Sequence, residues 1–208
     1  MDLKKVRDRT PEELSVKKNE FLKICDILDQ LNINYFLQTG VLLGAIREQN
    51  FIKWDWGADI SVFSNEFLHK IDPLTEVLRN SGFKILSVNK QKDNLKIFFR
   101  GKYPLEVTGY TVFGWNYSKI KDVYWRTDYA VPSKFLNNFS TVELFGRKFN
   151  CPYMPEEYLT YAYGDWKKPL RTSNKKIYNA DNYYNKKNPF LRNLKKKIKN
   201  KIYSIFNN

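Results

Sequence analysis

Gly40, Asp59 and Glu106 are the residues of this 208-residue chain whose types and settings could do chemistry together. Tyr35 to Leu37 reads as a short buried strand, and Thr39-Gly40 turns it directly into a helix carrying Val41, Leu42, Leu43 and Ile46. The free amides and dipole of such a helix start favour a phosphate. In Asp59-Ile60-Ser61-Val62-Phe63 the alternation puts Asp59 and Ser61 on one face of a strand, Ile60 and Val62 on the other. A later strand brings Glu106, between Leu105 and Val107, to a polar face. If the two strands are neighbours, Asp59 and Glu106 lie about 5 Å apart and can share a hard dication such as magnesium. Taken singly, a glycine at a strand–helix turn is commonly structural and an aspartate on a strand is commonly just solvated.

Composition narrows the chemistry to carboxylates, amides, hydroxyls and cations. A single histidine, His69, excludes histidine-rich metal sites and disfavours a Ser-His-Asp arrangement. Cys25 and Cys151 stand far apart with no second pair beside either, which excludes a disulfide framework and a thiolate zinc site. The net charge is +14, but 13 of the 36 basic residues and only one of the 22 acidic ones lie from Lys167 onward. The body is nearly neutral, so a nucleic-acid partner is not expected.

Thr10-Pro11-Glu12-Glu13 reads as a capped helix start, with Phe21, Leu22, Cys25, Leu28 and Leu31 continuing at helical spacing, so a helix is predicted over 11–31. A second is predicted over 68–81, ended by Gly82. Strands are predicted over 83–88, 94–100 and 105–112, and a hairpin over 141–149 turning near Gly146. An aromatic stretch, 113–129, shows no clear period, and a last short helix runs 158–163 to Gly164. The expected fold class is α+β, a mixed sheet flanked by helices over residues 1–172, followed by a basic tail over 173–208.

In that tail, residues 191, 194, 198, 202 and 205 are apolar at helical spacing, with lysines largely on the other faces. This is the composition of a helix lying on an anionic membrane surface, residues 189–206, and equally of a partner-docking or frayed helix. No stretch is long and apolar enough to span a bilayer, and the first ten residues lack the apolar centre of a signal peptide. A cytoplasmic location is expected, with peripheral attachment to the inner face of the membrane as an extension.

Phe36-Leu37-Gln38-Thr39-Gly40-Val41-Leu42-Leu43-Gly44-Ala45-Ile46-Arg47, followed by Phe51-Ile52-Lys53-Trp54-Asp55, resembles the LicD family, which includes fukutin-related proteins. Tyr163-Gly164-Asp165-Trp166, with Pro169, is similar to that family's late segment. The resemblance implies a nucleotidyltransferase fold. It further implies metal-dependent transfer of a phospho-alcohol, phosphocholine or a polyol phosphate, from a CDP-activated donor to a sugar hydroxyl of a cell-surface or lipid-linked glycan. On this resemblance Gly40, Val41 and Gly44 would approach the donor, Arg47 would support the loop or a phosphate, and Trp166 and Arg171 would meet the substrate. Asp59, Glu106 and Asp55 are the candidate catalytic residues and ligands of Mg2+ or Mn2+.

The chain departs from the pattern at the paired carboxylates. Read without a gap they fall on Gly57 and Asp59; shifted by two, on Asp59 and Ser61. Asp55 could substitute, but in a straight strand it lies about 13 Å from Asp59, at roughly 3.3 Å per residue. Only a bend at Trp56-Gly57 brings it inward. The alternative reading is therefore a catalytically weakened nucleotidyltransferase-fold protein that binds a nucleotide or partner enzyme without turnover.

Overall fold

Thr10 caps the first helix as its sequence predicts: its hydroxyl accepts the Glu13 amide at 3.3 Å, and the Glu13 carboxylate accepts the Thr10 amide at 2.9 Å. This reciprocal pair satisfies two donors that a helix start leaves open. The structure is a computed structural model that describes residues 6–90, 96–113, 123–126, 129–172, 174 and 177. Helix α1 spans Pro11–Gln30 and buries Phe21, Ile24, Cys25, Ile27 and Leu28, together with one charged residue, Lys17.

Strand β1 (Tyr35–Leu37) leads into α2 (Thr39–Glu48), and β2 (Ala58–Phe63) follows. Next come a single helical turn, α3 (Ser64–Phe67), a 3-10 turn over Leu68–Lys70, and α4 (Ile71–Asn80). The helix predicted over 68–81 is thus broken at its start. Pro73 has no amide to close a bond with the carbonyl four residues back, so the regular helix restarts with the proline in its first turn.

Strands β3 (Lys84–Asn89), β4 (Lys96–Arg100) and β5 (Pro104–Phe113) lie within two residues of their predicted bounds. The aromatic stretch supplies β6 (Val123–Arg126) and, at its end, β7 (Tyr129–Pro132), which periodicity did not predict. Pairing to the far half of β5, at Thr111 to Phe113, selects β6 as a strand. A 3-10 turn over Ser133–Phe135, the hairpin β8 (Phe139–Leu144) and β9 (Arg147–Pro152), and α5 (Pro155–Tyr163) complete the described chain.

The main sheet has the order β1-β2-β5-β4-β3, with β6 and β7 continuing from β5. Only β2 and β5 run parallel; the other pairs are antiparallel. Ile60, Val62, Leu105 and Val107 are fully or almost fully buried and share one core with Phe21, Ile24 and Leu28 of α1. The β8–β9 hairpin packs beside β1, bringing Phe149 within 5.9 Å of Phe21, ring to ring. Burial pushes the Cys25 thiol up to about 12, as befits a core residue. Among the described residues no helix is long and apolar enough to cross a membrane. The predicted basic helix over 189–206 lies outside the described residues.

Candidate active site

The turn at Gly40 is built from polar groups that the core does not satisfy. Gln38 precedes α2 in extended conformation, and Thr39, β-branched, is held at φ +53°. A β-branched residue at positive φ is strained, and such strain persists where the surroundings impose it. Gln38 is 0% exposed; its Oε1 accepts the Ser61 hydroxyl at 3.0 Å. Its Nε2 and the Thr39 hydroxyl are buried with no hydrogen-bond partner in the protein. Two unsatisfied groups therefore sit at the start of a ten-residue helix, where amides and dipole favour an anion.

Asp59 and Glu106 meet across the parallel pair. The register sets Asp59 opposite Glu106, Ala58 opposite Leu105 and Ile60 opposite Val107. Register partners point to the same face, so the two half-buried carboxylates share a face while their apolar neighbours enter the core. Further along that face Phe36, Phe63, Tyr124 and Phe139 stack in a cluster with ring centroids 5.0 to 6.0 Å apart.

The chain bends before Asp55, at Lys53-Trp54 and not at the Trp56-Gly57 position that the sequence offered. The chain turns at Lys53-Trp54, the Asp55 amide donates to the Ile52 carbonyl at 3.0 Å, and β2 starts only at Ala58. The bend aims the Asp55 carboxylate at α2: a Cβ on Gly40 would stand 2.7 Å from Asp55 Oδ2. Gly40 is thus a point of close approach between the helix start and this loop. Burial pushes the Asp55 carboxyl up; Lys17 pulls it down, Asp59 raises it again, and the Gly57 and Trp56 amides lower it.

The expected set of three carboxylates around one ion is not formed. Among the described residues no group of three His, Cys, Asp or Glu side chains is placed to hold a metal. The bend turns Asp55 toward Gly40 instead. What remains, Asp59 and Glu106 in register on one face, is the kind of carboxylate pair that fits one hard dication, because magnesium is commonly held by one or two carboxylates plus phosphate oxygens and water. Ser61 does not replace the missing acid, since its hydroxyl is fully buried and donates to Gln38. At Gly57 a Cβ would lie 3.2 Å from the Pro104 carbonyl, so an acid there would crowd the start of β5.

Several residues expected to meet the substrate have packing or polar partners within the protein. Val41 is 2% exposed with its side chain in the core, leaving only its amide at the helix start. Gly44 is buried against the loop after α2, where a Cβ would stand 2.4 Å from the Asn50 carbonyl and 3.2 Å from the Ile52 amide nitrogen. Arg47 holds the late segment: its Nη1 donates to the Trp166 carbonyl at 3.0 Å and its Nε pairs with Glu48 at 2.9 Å. Trp166 is 7% exposed, belongs to the core and donates its indole N–H to Thr160 at 3.2 Å. Arg171 is exposed and pairs with Asp8 at 3.4 Å.

Lys17 is the site residue that sequence reasoning missed. Its side chain is 1% exposed; Nζ donates to the Asp55 main-chain carbonyl at 3.2 Å and lies 4.4 Å from the centre of the Phe51 ring. Desolvation lowers its pKa most, the charges of Asp55 and Asp59 raise it, and Arg9 lowers it. The available signal was position: 14, 17, 21, 24 and 28 lie on one helical stripe, and Lys17 is its only charged member.

Residues 32–154, more than half of the chain, match the family described as LicD/FKTN/FKRP, nucleotidyltransferase domain. The chain belongs to this family, and is a transferase of the nucleotidyltransferase fold. No curated protein sequence matches it. Among solved structures it is similar to the crystal structure of the lincosamide antibiotic adenylyltransferase LnuA with lincomycin bound, at TM-score 0.47 and 15% identity over 74% of this chain and 87% of that one. It is also similar to the solution structure of the antibiotic-resistance factor ANT(2'')-Ia, at TM-score 0.48 and 16% identity over 79% of this chain and 80% of the other.

Proposed function

We propose that the chain transfers a phospho-alcohol, phosphocholine or a polyol phosphate, from a CDP-activated donor to a hydroxyl of a cell-surface or lipid-linked glycan. The observation that carries this reading is the register that pairs Asp59 with Glu106, on strands next to β1, the strand that leads into Gly40. The donor phosphates lie against the α2 amides and the Gln38 and Thr39 polar groups, which gain the partners they lack within the protein. Asp59 and Glu106 would hold Mg2+ or Mn2+, which would supply neutralisation of phosphate charge. The acceptor oxygen attacks the phosphorus that carries the alcohol, the bond from that phosphorus to the bridging oxygen breaks, and CMP departs with the bond's electron pair. Glu106 takes the acceptor's proton on its carboxylate. The basic segment 189–206 would hold the enzyme at the inner membrane surface, close to a lipid-carried acceptor.

The test is to incubate the protein with Mg2+ and CDP-choline, CDP-ribitol or CDP-glycerol. CMP release that Asp59→Ala and Glu106→Ala eliminate is expected. No CMP from any donor, in the presence of lipid-linked glycan extracts, overturns the reading. A second reading, nucleotide binding without turnover, draws on the missing acid at Gly57 and the crowding there by Pro104. Its signature is calorimetric binding of CDP with no CMP release.

A further inference from the structure

Two cations stand at the site's end of the sheet without an acid to balance them. The register sets Arg100, the last residue of β4, opposite Lys84, the first of β3, and opposite Pro104, the first of β5. Phe98 is opposite Glu106, so Arg100, two residues on, lies on the face of Asp59 and Glu106, one step along the ladder. Arg100 is half-buried, and its Nε is buried with no hydrogen-bond partner in the protein. Lys84 is exposed, and among the described residues no acid pairs with either cation. Glu20, which reaches the turn after Arg100 from α1, is engaged by the Lys102 and Tyr103 amides, and Lys102 adds a further exposed positive charge there. Like charges directly opposite each other destabilise a sheet, and a buried donor without a partner adds to the cost. An oxyanion between the two side chains removes both penalties, and a guanidinium fork meets phosphate or carboxylate with two parallel hydrogen bonds.

Strand order gives this cation pair its place in the site. The C-terminal ends of β1 and β4 and the N-terminal ends of β2, β5 and β3 form one end of the sheet, in the order Gly40 turn, Asp59, Glu106, Arg100, Lys84. At about 4.8 Å between strands, β4 lies about 14 Å from β1, with the carboxylate pair between them. The attacking and leaving oxygens of a phosphoryl transfer lie roughly in line. With the donor phosphates at the start of α2 and the transferred phosphorus over the carboxylate pair, CMP leaves on the Gly40 side. The acceptor then enters from the other side, where Glu106 and Arg100 stand. We propose that Arg100 and Lys84 form an oxyanion subsite for the acceptor, so that the glycan itself carries a phosphate or carboxylate near the hydroxyl that attacks. Arg100 grips the oxyanion with its fork, and Lys84 adds charge at the rim. The inference rests on the donor placement given under the proposed function.

The experiment is calorimetric titration of the full chain, with folding checked by circular dichroism melts. CDP with Mg2+ is titrated first, and glucose 6-phosphate, glucuronate and glucose are then titrated into the CDP-loaded protein. At least one anionic sugar is expected to bind tenfold or more tightly than glucose, and the tighter of the two tells phosphate from carboxylate. Arg100→Gln is expected to weaken that sugar at least tenfold while CDP stays within threefold of wild type. Arg100→Lys, which keeps the charge but not the fork, should recover part of the loss, and Lys84→Gln should weaken the sugar about threefold. Anionic sugars that bind no better than glucose overturn the proposal, as does an anionic sugar that Arg100→Gln holds as tightly as wild type. Loss of CDP together with the sugar in Arg100→Gln assigns Arg100 to the donor and overturns it as well. Failure of the wild type to bind CDP sinks the donor reading instead, and the same Arg100→Gln comparison with the sugars alone then decides whether the oxyanion subsite stands.

Discussion

Helix α1 carries a cation-and-acid cluster at each end, and the two are built on opposite principles. At its C-terminal end Arg147 of β9 reaches Asp26 at 2.9 Å, the Asp29 carboxylate and the Tyr35 hydroxyl at 2.7 Å, and both acids are well exposed. The guanidinium there matches its acceptors directly and pins the hairpin to α1 and β1. At the N-terminal end Lys17 is buried, reaches only a main-chain carbonyl of the acid it serves, and acts on Asp55 and Asp59 through their charges. One cluster is held by hydrogen-bond geometry in solvent, the other by field in a desolvated pocket. Exposed pairs of the first kind are structural and screened by salt; buried charges of the second kind persist at functional sites, where they cost stability.

The largest expected effect lies where the Lys17 end depends on backbone surfaces in contact. Gly44→Ala would push a methyl to within 2.4 Å of the Asn50 carbonyl, an atom that no rotamer change can move. Overpacking of this kind should cost about 3 kcal/mol, read as a lower denaturant midpoint. If Gly44→Ala is neutral, the loop bearing Asp55 is not braced by α2, and the contrast between a rigid pocket and an exposed clamp is lost. Arg147→Ala comes next, at about 2 kcal/mol, because three acceptors lose one donor group in a partly exposed setting. Mn2+ binding should be untouched by it. A change in ion affinity would show that the two ends of α1 are coupled.

These two ends were unequally legible in the sequence. The pairing of Asp59 with Glu106 was accessible because period-two alternation sets each residue's face and only the adjacency of two strands had to be supplied. The place of the bend before Asp55 was not: the sequence offered Trp56-Gly57, and the turn at Lys53-Trp54 depends on how closely the loop approaches Gly40, a fact of tertiary packing. Lys17 looked like any helical lysine until its place on the apolar stripe was weighed against the residues around it. Trp166 and Arg47 carry motif identities but serve packing and loop support, since a motif records which residues recur and not what each one touches. Strands β6 and β7 lack alternation and exist because β5 offers an edge to pair with.

A smaller effect is expected at Ser61. Ser61→Ala removes the hydroxyl that donates to Gln38 Oε1 and leaves a buried carbonyl oxygen without that bond. The cost should be about 1 kcal/mol in thermal unfolding. Under the proposed function, CMP release should fall more steeply than stability, because the Gln38 side chain is free to turn away from the donor phosphates. Equal small losses in both would mean that Gln38 only fills the core.

The smallest effect tests whether a partly exposed pair and a desolvated one on α1 differ as claimed. Glu13 sits at the N-terminus of the helix with Arg7 at 2.5 Å, and its carboxyl is held down to about 2, first by the Arg7 side chain and then by the Thr10 amide. Its ordinary value is 4.5, so the folded state binds this proton less readily than the unfolded chain does. The stabilisation is therefore full above pH 4.5 and fades as pH falls toward about 2. Glu13→Gln, which can still complete the capping box but loses the charge paired with Arg7, should lower stability near neutral pH by about 0.5 kcal/mol. The wild-type and variant curves of unfolding free energy against pH should converge on the acid side of that window. Half-molar salt should narrow the gap at neutral pH, because this pair is partly open to solvent. The same salt should leave the stability change of Lys17→Gln largely in place, because a charge that is 1% exposed is screened far less. Equal sensitivity of both to salt would erase the distinction between the two kinds of pair.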